Sequence, residues 1–384
     1  MGVQDVCKKV TTLEKNNNIA AFFALLRAGL WEKEVQLLPY GEVDFSTALD
    51  LAEEQSVVGL LAAGIEHVID AKPQKKDVLQ FIGRTVQLEQ KNQAMNYFIS
   101  LTVEKMRDAD IYTLLVKGQG VAQCYERPLW RACGDVDFFL SEDNYEKAKV
   151  FLTPLASEVE TEFKGSKHLG MTIDPWVVEL HGSLRMGLPR RINDVLDGIQ
   201  KKTFCGGNVR SWDNDGTQVF MLGKENDVVY VFAHFFNHFY KGGLGLRQIC
   251  DWCRLLWTFR ETLDVKKVEM MVKQMGLVSE WKAFGAFAVE YLGMEATAMP
   301  MYDAASKWSK KASMIKDFVM TVGNFGQNRD MSYYAKYPYL IRKFISMSQR
   351  VGDLLRHSRI FPLDSIRLLP VILINGVRSA ANGE

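Results

Sequence analysis

Leu114–Leu140 reads LLVKGQGVAQCYERPLWRACGDVDFFL. Ile111–Val116 is apolar and β-branched enough for a buried strand. Gly118 and Gly120 break it, and Val121–Tyr125 can begin a short helix. A helix N-terminus there would turn free N–H groups toward an anion such as a phosphate. Lys117, just before the turn, would add a point charge. The second apolar run carries Asp135 and Asp137 two residues apart, which places both carboxylates on one face of a strand. Val136, Phe138 and Leu140 take the opposite face. Two carboxylates side by side repel unless a cation lies between them, and a divalent metal is the usual solution.

Further along, Lys167–Asp174 (KHLGMTID) and Trp176–Leu184 (WVVELHGSL) are extended segments joined by a tight turn at Pro175. In the second, Glu179 and His181 share a face, opposite Val178 and Leu180. On pattern alone Glu179 is an ordinary strand residue facing solvent.

Lys117-Gly118, the gap, R-x-x-G-D-V-D-F-F (Arg131–Phe139) and E-L-H (Glu179–His181) resemble the DNA polymerase beta-like nucleotidyltransferase superfamily. The chain is most similar to its branch of bacterial uncharacterised nucleotidyltransferases, over about Leu25–Leu256. The resemblance implies an α+β fold: a mixed β-sheet nucleotidyltransferase domain with helices, flanked by N-terminal and C-terminal helical domains. It implies Asp135, Asp137 and Glu179 as the catalytic acids and metal ligands. It implies Lys117, Gly118, Gln119, Arg131 and Gly134 as nucleotide-binding residues. Gln119 stands where the superfamily usually has Ser or Gly. Arg131 has a second reading, a tie between its loop and a carboxylate. The implied cofactor is Mg²⁺ or Mn²⁺, and the implied partners are a nucleoside triphosphate such as ATP and a hydroxyl or phosphate acceptor, small or glycan-related.

The flanks carry less chemistry. Residues 1–95 read as helices: Asn18–Trp31 with Gly29 as its stop, Phe45–Gly64, and Val78 to about Arg107. Residues 96–215 hold the α/β pattern, with Asp143 as N-cap of a helix over Asn144–Leu155. Residues 216–384 return to helices. There His234 and His238 lie four apart and face one way, either as zinc ligands or as packed histidines. Gly242, Gly243 and Gly245 follow, then Arg247 and Asp251. The branch pattern L-R-x-x-x-D matches these two residues. Arg247 either reaches the triphosphate or acceptor, or pairs with Asp251 along the helix. His181, His234, His238, Arg247 and Asp251 are therefore candidates for the acceptor side of the site.

Composition bounds the remainder. The 384 residues suffice for two or three domains, and 47% hydrophobic with 24% charged residues is ordinary for a globular protein. A net charge of +1 gives no global field for long nucleic acid. Six cysteines without a regular framework suggest reduced thiols and a cytoplasmic location. Cys250 and Cys253 sit in a helical pattern, so two half-buried thiols are expected rather than a redox or zinc motif. Ile19–Leu26 is a short apolar run followed by Arg27, without a cleavage site, so no signal peptide is expected. No uninterrupted apolar window is long enough to span a bilayer.

The C-terminal segment is basic: Lys336, Arg342, Lys343, Arg350, Arg356, Arg359, Arg367 and Arg378 stand against Asp353, Asp364 and Glu384. Leu340, Phe344, Met347, Val351 and Leu354 form a helical stripe. The stripe docks on the core, or it presents a peripheral surface to anionic lipid or an acidic partner. The tail IRLLPVILINGV is apolar but interrupted by Pro370. Two functional classes thus compete with the enzyme: a non-catalytic nucleotide- or partner-binding relative, and a membrane-surface factor.

Overall fold

The computed structural model describes residues 3–162, 167–241, 243–324, 336–370 and 374, with side chains left aside at 3–16, 340, 343 and 350. Four helices come first: α1 (Val3–Trp31), α2 (Phe45–Glu54), α3 (Val58–Glu66) and α4 (Lys75–Asp108). The sheet region follows with β1 (Thr113–Val116), α5 (Gly118–Ala122), β2 (Asp135–Leu140) and α6 (Glu142–Leu152). It continues with β3 (Glu158–Val159), β4 (His168–Ile173), β5 (Trp176–His181), α7 (Arg190–Gly206), β6 (Val209–Asn214) and β7 (Thr217–Leu222). The chain then runs through α8 (Lys224–Lys241), α9 (Leu246–Phe259), α10 (Val265–Met275), α11 (Val278–Glu290), α12 (Ser306–Val322) and α13 (Tyr339–Ile360), and residues 362–370 are helical. The fold is α+β.

Among the described residues seven strands form one mixed sheet in the order β3-β4-β5-β2-β1-β7-β6. β2 runs antiparallel to β1 and parallel to β5, which sets Asp137 directly beside Glu179. β4 and β5 form an antiparallel hairpin across the cis Asp174–Pro175 turn, with His168 opposite His181. The period of two separates the faces. Val136, Phe138, Leu140, Val178 and Leu180 pack in one core with Met95, Ile99, Val103 and Met106 of α4 and with α6. Asp135, Asp137, Glu179 and His181 take the other face, beneath α8 and α9.

α8 packs that side onto an aromatic core. Phe232, Phe235, Phe236 and Phe239 are fully buried, and Trp252, Trp281 and Phe284 surround them with ring centroids 4.7–6.3 Å from Phe232. Each such side chain contributes roughly 2–3 kcal/mol by leaving water. His234 and His238 lie on the opposite stripe of the same helix, half-buried.

Several expectations are corrected. Gly29 does not end its helix; it is where α1 meets α3, because a Cβ there would stand 1.8 Å from the Leu60 carbonyl oxygen. Phe45–Gly64 is two helices, divided at Ser56, whose φ is +56°. The third helix starts at Lys75 and passes unbroken through residues 95 and 96. Asp143 lies inside the first turn of α6, and Ser141 holds the N-cap position. The sheet continues past residue 215: β6 and β7 form a hairpin whose Asp215 and Gly216 both have positive φ, +53° and +87°. An Asp-Gly pair favours that turn type, and β7 then pairs in parallel with β1.

Cys250 and Cys253 are fully rather than half buried, and burial pushes both thiols above their ordinary pKa. The C-terminal stripe docks only in its later part: Leu354 is buried, whereas Phe344 is 74% exposed. The side chains of Leu340, Lys343 and Arg350, together with Gly242, Arg378, Glu384 and half of the apolar tail, lie outside the described residues. Among the described residues no helix is long and apolar enough to cross a membrane.

Candidate active site

A cavity of about 440 Å³ opens between the acidic sheet face and helices α8 and α9, within the size range of small-ligand sites. β2 and β5 supply its floor. Their parallel register brings one carboxylate oxygen from each of Asp135, Asp137 and Glu179 within 4.8 Å of one another. Three hard oxygen donors at this spacing suit Mg²⁺ or Mn²⁺, so the residues fit a divalent ion.

Lys117 enters from the end of β1. Its φ of +57° is strained for a side-chain-bearing residue, costing about 1–2 kcal/mol. Its ammonium nitrogen lies 2.6 Å from Asp137 Oδ1. His181 Nε2 donates to the same oxygen at 2.7 Å and lies 3.3 Å from Glu179 Oε2. His168 Nε2 donates to Glu179 Oε2 at 3.2 Å. His168 and Glu179 therefore meet across the hairpin, and the sequence reading missed His168. Its only signal was its place at the start of β4, which becomes meaningful once the β4–β5 register is known.

Burial weighs most on Asp137 and pushes its carboxyl up, against the pull of Lys117. Burial also pushes Glu179 up. Hydrogen bonds from His168 and His181, with Lys117, outweigh it and hold Glu179 well below the usual carboxylate range. Burial disfavours charge on His181, but Asp137 and Glu179 raise its pKa above the ordinary value. Lys117 is likewise raised against burial, chiefly by Asp137.

α8 contributes neutral groups. His234 Nε2 stands 3.3 Å from the Lys117 nitrogen and 3.3 Å from His238 Nε2. Burial, then Lys117, pushes His234 well below its ordinary pKa and His238 down to about 4. Among the described residues no third ligand atom joins this pair, so the packed reading of the two histidines fits better than zinc.

α9 contributes the far wall. Asp251 accepts from Arg131 Nε at 3.0 Å and Nη2 at 2.6 Å, and from the Tyr125 hydroxyl at 2.8 Å. Arg247 donates to the Ala132 carbonyl at 2.9 Å, so the helical Arg247–Asp251 pair is replaced by a pair across the fold. Arg131 Nη1 and Arg247 Nε are buried and have no hydrogen-bond partner. Both arginines line the cavity, and an unpartnered buried donor is costly unless a ligand meets it.

Two expected nucleotide-binding residues do not line the cavity. Gln119 is buried and donates at 2.8 Å to Asn92 Oδ1 on α4. Gly134 is exposed, with open space around it. Lys117, Gly118, Arg131, Asp135, Asp137, Glu179, His181, His234, His238, Arg247 and Asp251 all line it. α5 has five residues and aligns few peptide dipoles, so its N-terminus is a weaker anion site than the sequence suggested.

Residues 41–293 match the family model described as uncharacterised nucleotidyltransferase. No curated protein matches the chain. The crystal structure of an antigenic nucleotidyltransferase-like protein from Paracoccidioides brasiliensis aligns with 48% of this chain and 90% of that one, at 14% identity and a TM-score of 0.29. A score that low carries no argument about this chain.

Proposed function

The chain belongs to the uncharacterised nucleotidyltransferase family, and from that premise we propose that it transfers a nucleoside monophosphate from a nucleoside triphosphate to a small or glycan-related acceptor. The observation that carries the reading is the meeting of Asp135, Asp137 and Glu179 on one sheet face, inside a cavity whose other wall is cationic. The acceptor oxygen attacks the α-phosphate, the bond to the bridging oxygen breaks, and pyrophosphate leaves.

Asp135, Asp137 and Glu179 would hold Mg²⁺ or Mn²⁺, which when bound neutralises phosphate charge and lowers the pKa of the acceptor hydroxyl. Arg131 and Arg247 present their unpartnered N–H groups to the phosphates. Lys117 now pairs with Asp137, and a phosphate oxygen would compete with the carboxylate for its ammonium. His181 holds its proton at Nε2 against Asp137 and keeps that carboxylate oriented toward the cavity. α8 and α9 stand over the reacting groups and reduce their contact with solvent, which strengthens each of these interactions.

A second reading is a relative that binds a nucleotide without transferring it. The Lys117–Asp137 pair favours it, because a protein cation already sits on the central carboxylate. Calorimetry with ATP, GTP, CTP and UTP and Mg²⁺, on wild type and on the Asp135→Asn/Asp137→Asn variant, tests both. Metal-dependent binding that disappears in the variant, followed by pyrophosphate release with an acceptor, supports transfer. Binding without pyrophosphate release across an acceptor panel supports the second reading. No binding of any nucleotide to wild type removes both.

A further inference from the structure

Beside the three carboxylates lies a second set of donors with different chemistry. His168 and His181 are direct cross-strand partners on β4 and β5, and Glu179 is two residues from His181 on the same face. The three ligand atoms lie within 4.8 Å of one another. We propose that His168, His181 and Glu179 bind a late first-row transition ion such as Zn²⁺, in a site that shares Glu179 with the oxygen-donor set but is separate from it.

The distances suit such an ion. Two donors each about 2.1 Å from one ion at the tetrahedral angle stand about 3.4 Å apart. Glu179 Oε2 lies 3.2 Å from His168 Nε2 and 3.3 Å from His181 Nε2. The rings are already close, with centroids 4.8 Å apart. With the imidazole proton at Nδ1, each Nε2 offers a lone pair to the ion.

The donor types select the metal. Two imidazoles and a carboxylate favour Zn²⁺ and its neighbours over Mg²⁺, which prefers oxygen and keeps its waters. Three protein ligands leave a coordination position open, as in sites where the ion meets a ligand rather than only holding the fold. All three side chains line the cavity, so the open position faces the space where an acceptor would lie. His181 ties the two sets together. Its Nε2 now donates to Asp137 at 2.7 Å, and an ion on that nitrogen would replace this hydrogen bond. The proposal rests on donor geometry and does not require transfer activity.

Co²⁺ is the probe, titrated into the full chain with and without Mg²⁺ to compete for Asp135 and Asp137. The expected result is a set of visible ligand-field bands that saturate at a single ion per chain and are displaced by Zn²⁺. His168→Gln should lower Co²⁺ affinity by at least about tenfold and abolish the bands, while Asp135→Asn keeps them. His168→Asn, with melting curves for all variants, guards against loss of fold. Absence of bands in wild type, or bands that persist in both His168 variants, overturns the site. So do bands lost in Asp135→Asn but kept in His168→Gln. ATP–Mg²⁺ calorimetry on the same wild-type protein separates this proposal from the functional reading. Nucleotide binding without Co²⁺ bands refutes only the metal site, and bands without nucleotide binding refute only the nucleotide reading.

Discussion

Glu179 and Glu280 are the same side chain, both largely withdrawn from water, in opposite electrostatic settings. Glu179 meets His168, His181 and Lys117 and is held well below the usual carboxylate range, although burial alone would raise it. Glu280, on α11, is pushed up to about 8 by burial and then by the neighbouring Asp364. Asp364 pairs with Arg191, and Lys311 pulls on Glu280 too weakly to offset burial. Burial is common to the two sites, so it does not decide the charge. The hydrogen-bond donors and charges aimed at the carboxylate do. Hydrogen bonds from His168 and His181 and the Lys117 charge converge on Glu179 where the sheet opens on a cavity, which keeps an anion ready for a ligand. Glu280 carries a proton where residues 362–370 meet α11, which closes a core.

The largest expected effect breaks the contrast at the cleft. Asp137→Asn should lower transfer by at least about a thousandfold, roughly 4 kcal/mol of barrier, with a melting curve that still shows a folded protein. Full activity in that variant would end the mechanism. Next is the buried wall of the same cleft. Asp251→Ala leaves the Arg131 guanidinium buried without its partner, and urea unfolding should register a loss of about 3–5 kcal/mol. A loss under about 1 kcal/mol would mean that water or another acid reaches Arg131.

Glu280 sharpens the other half. Its folded pKa lies above the ordinary 4.5, so the folded chain binds the proton more tightly than the unfolded chain. The stability this provides is complete below about pH 4.5 and is lost as pH rises toward about 8. Glu280→Gln should remove that decline and leave the variant more stable than wild type at pH 8.5. Urea curves at pH 5 and 8.5 check this, and parallel pH profiles for the two proteins would contradict it. The smallest effect is the reference. Arg84 pairs with Glu53 at 2.9 Å with both side chains about half exposed, and Arg84→Ala should shift stability by no more than about 0.5 kcal/mol. A larger loss would show that solvent screening is weaker than the contrast assumes.

The carboxylates were legible in the sequence because their geometry is local. A strand has period two, so Asp135 with Asp137, and Glu179 with His181, share faces whatever the tertiary fold. Pairings across the chain were not legible. Arg131 and Asp251 are 120 residues apart, and His168 gains its role only from the β4–β5 register. The break at Ser56 was missed because nothing in Phe45–Gly64 marks a positive φ at a serine. The β6–β7 hairpin had its signal in Asn214-Asp215-Gly216, but Val209–Asn214 alternates too weakly in hydrophobicity to be read as a strand without it.

α4 makes the molecule less modular than that reading supposed. Asn92 is fully buried. Its amide nitrogen donates to the Leu129 and Arg131 carbonyls at 2.7 and 2.8 Å, and its oxygen receives Gln119. A single side chain from the helical half therefore fastens both the glycine turn and the arginine loop of the other half. A fragment beginning at residue 96 would keep every acid of the cleft and lose the bolt that holds their surroundings in place. Transfer of this cleft to another chain, by fusion or truncation, has to carry the long helix along with the sheet.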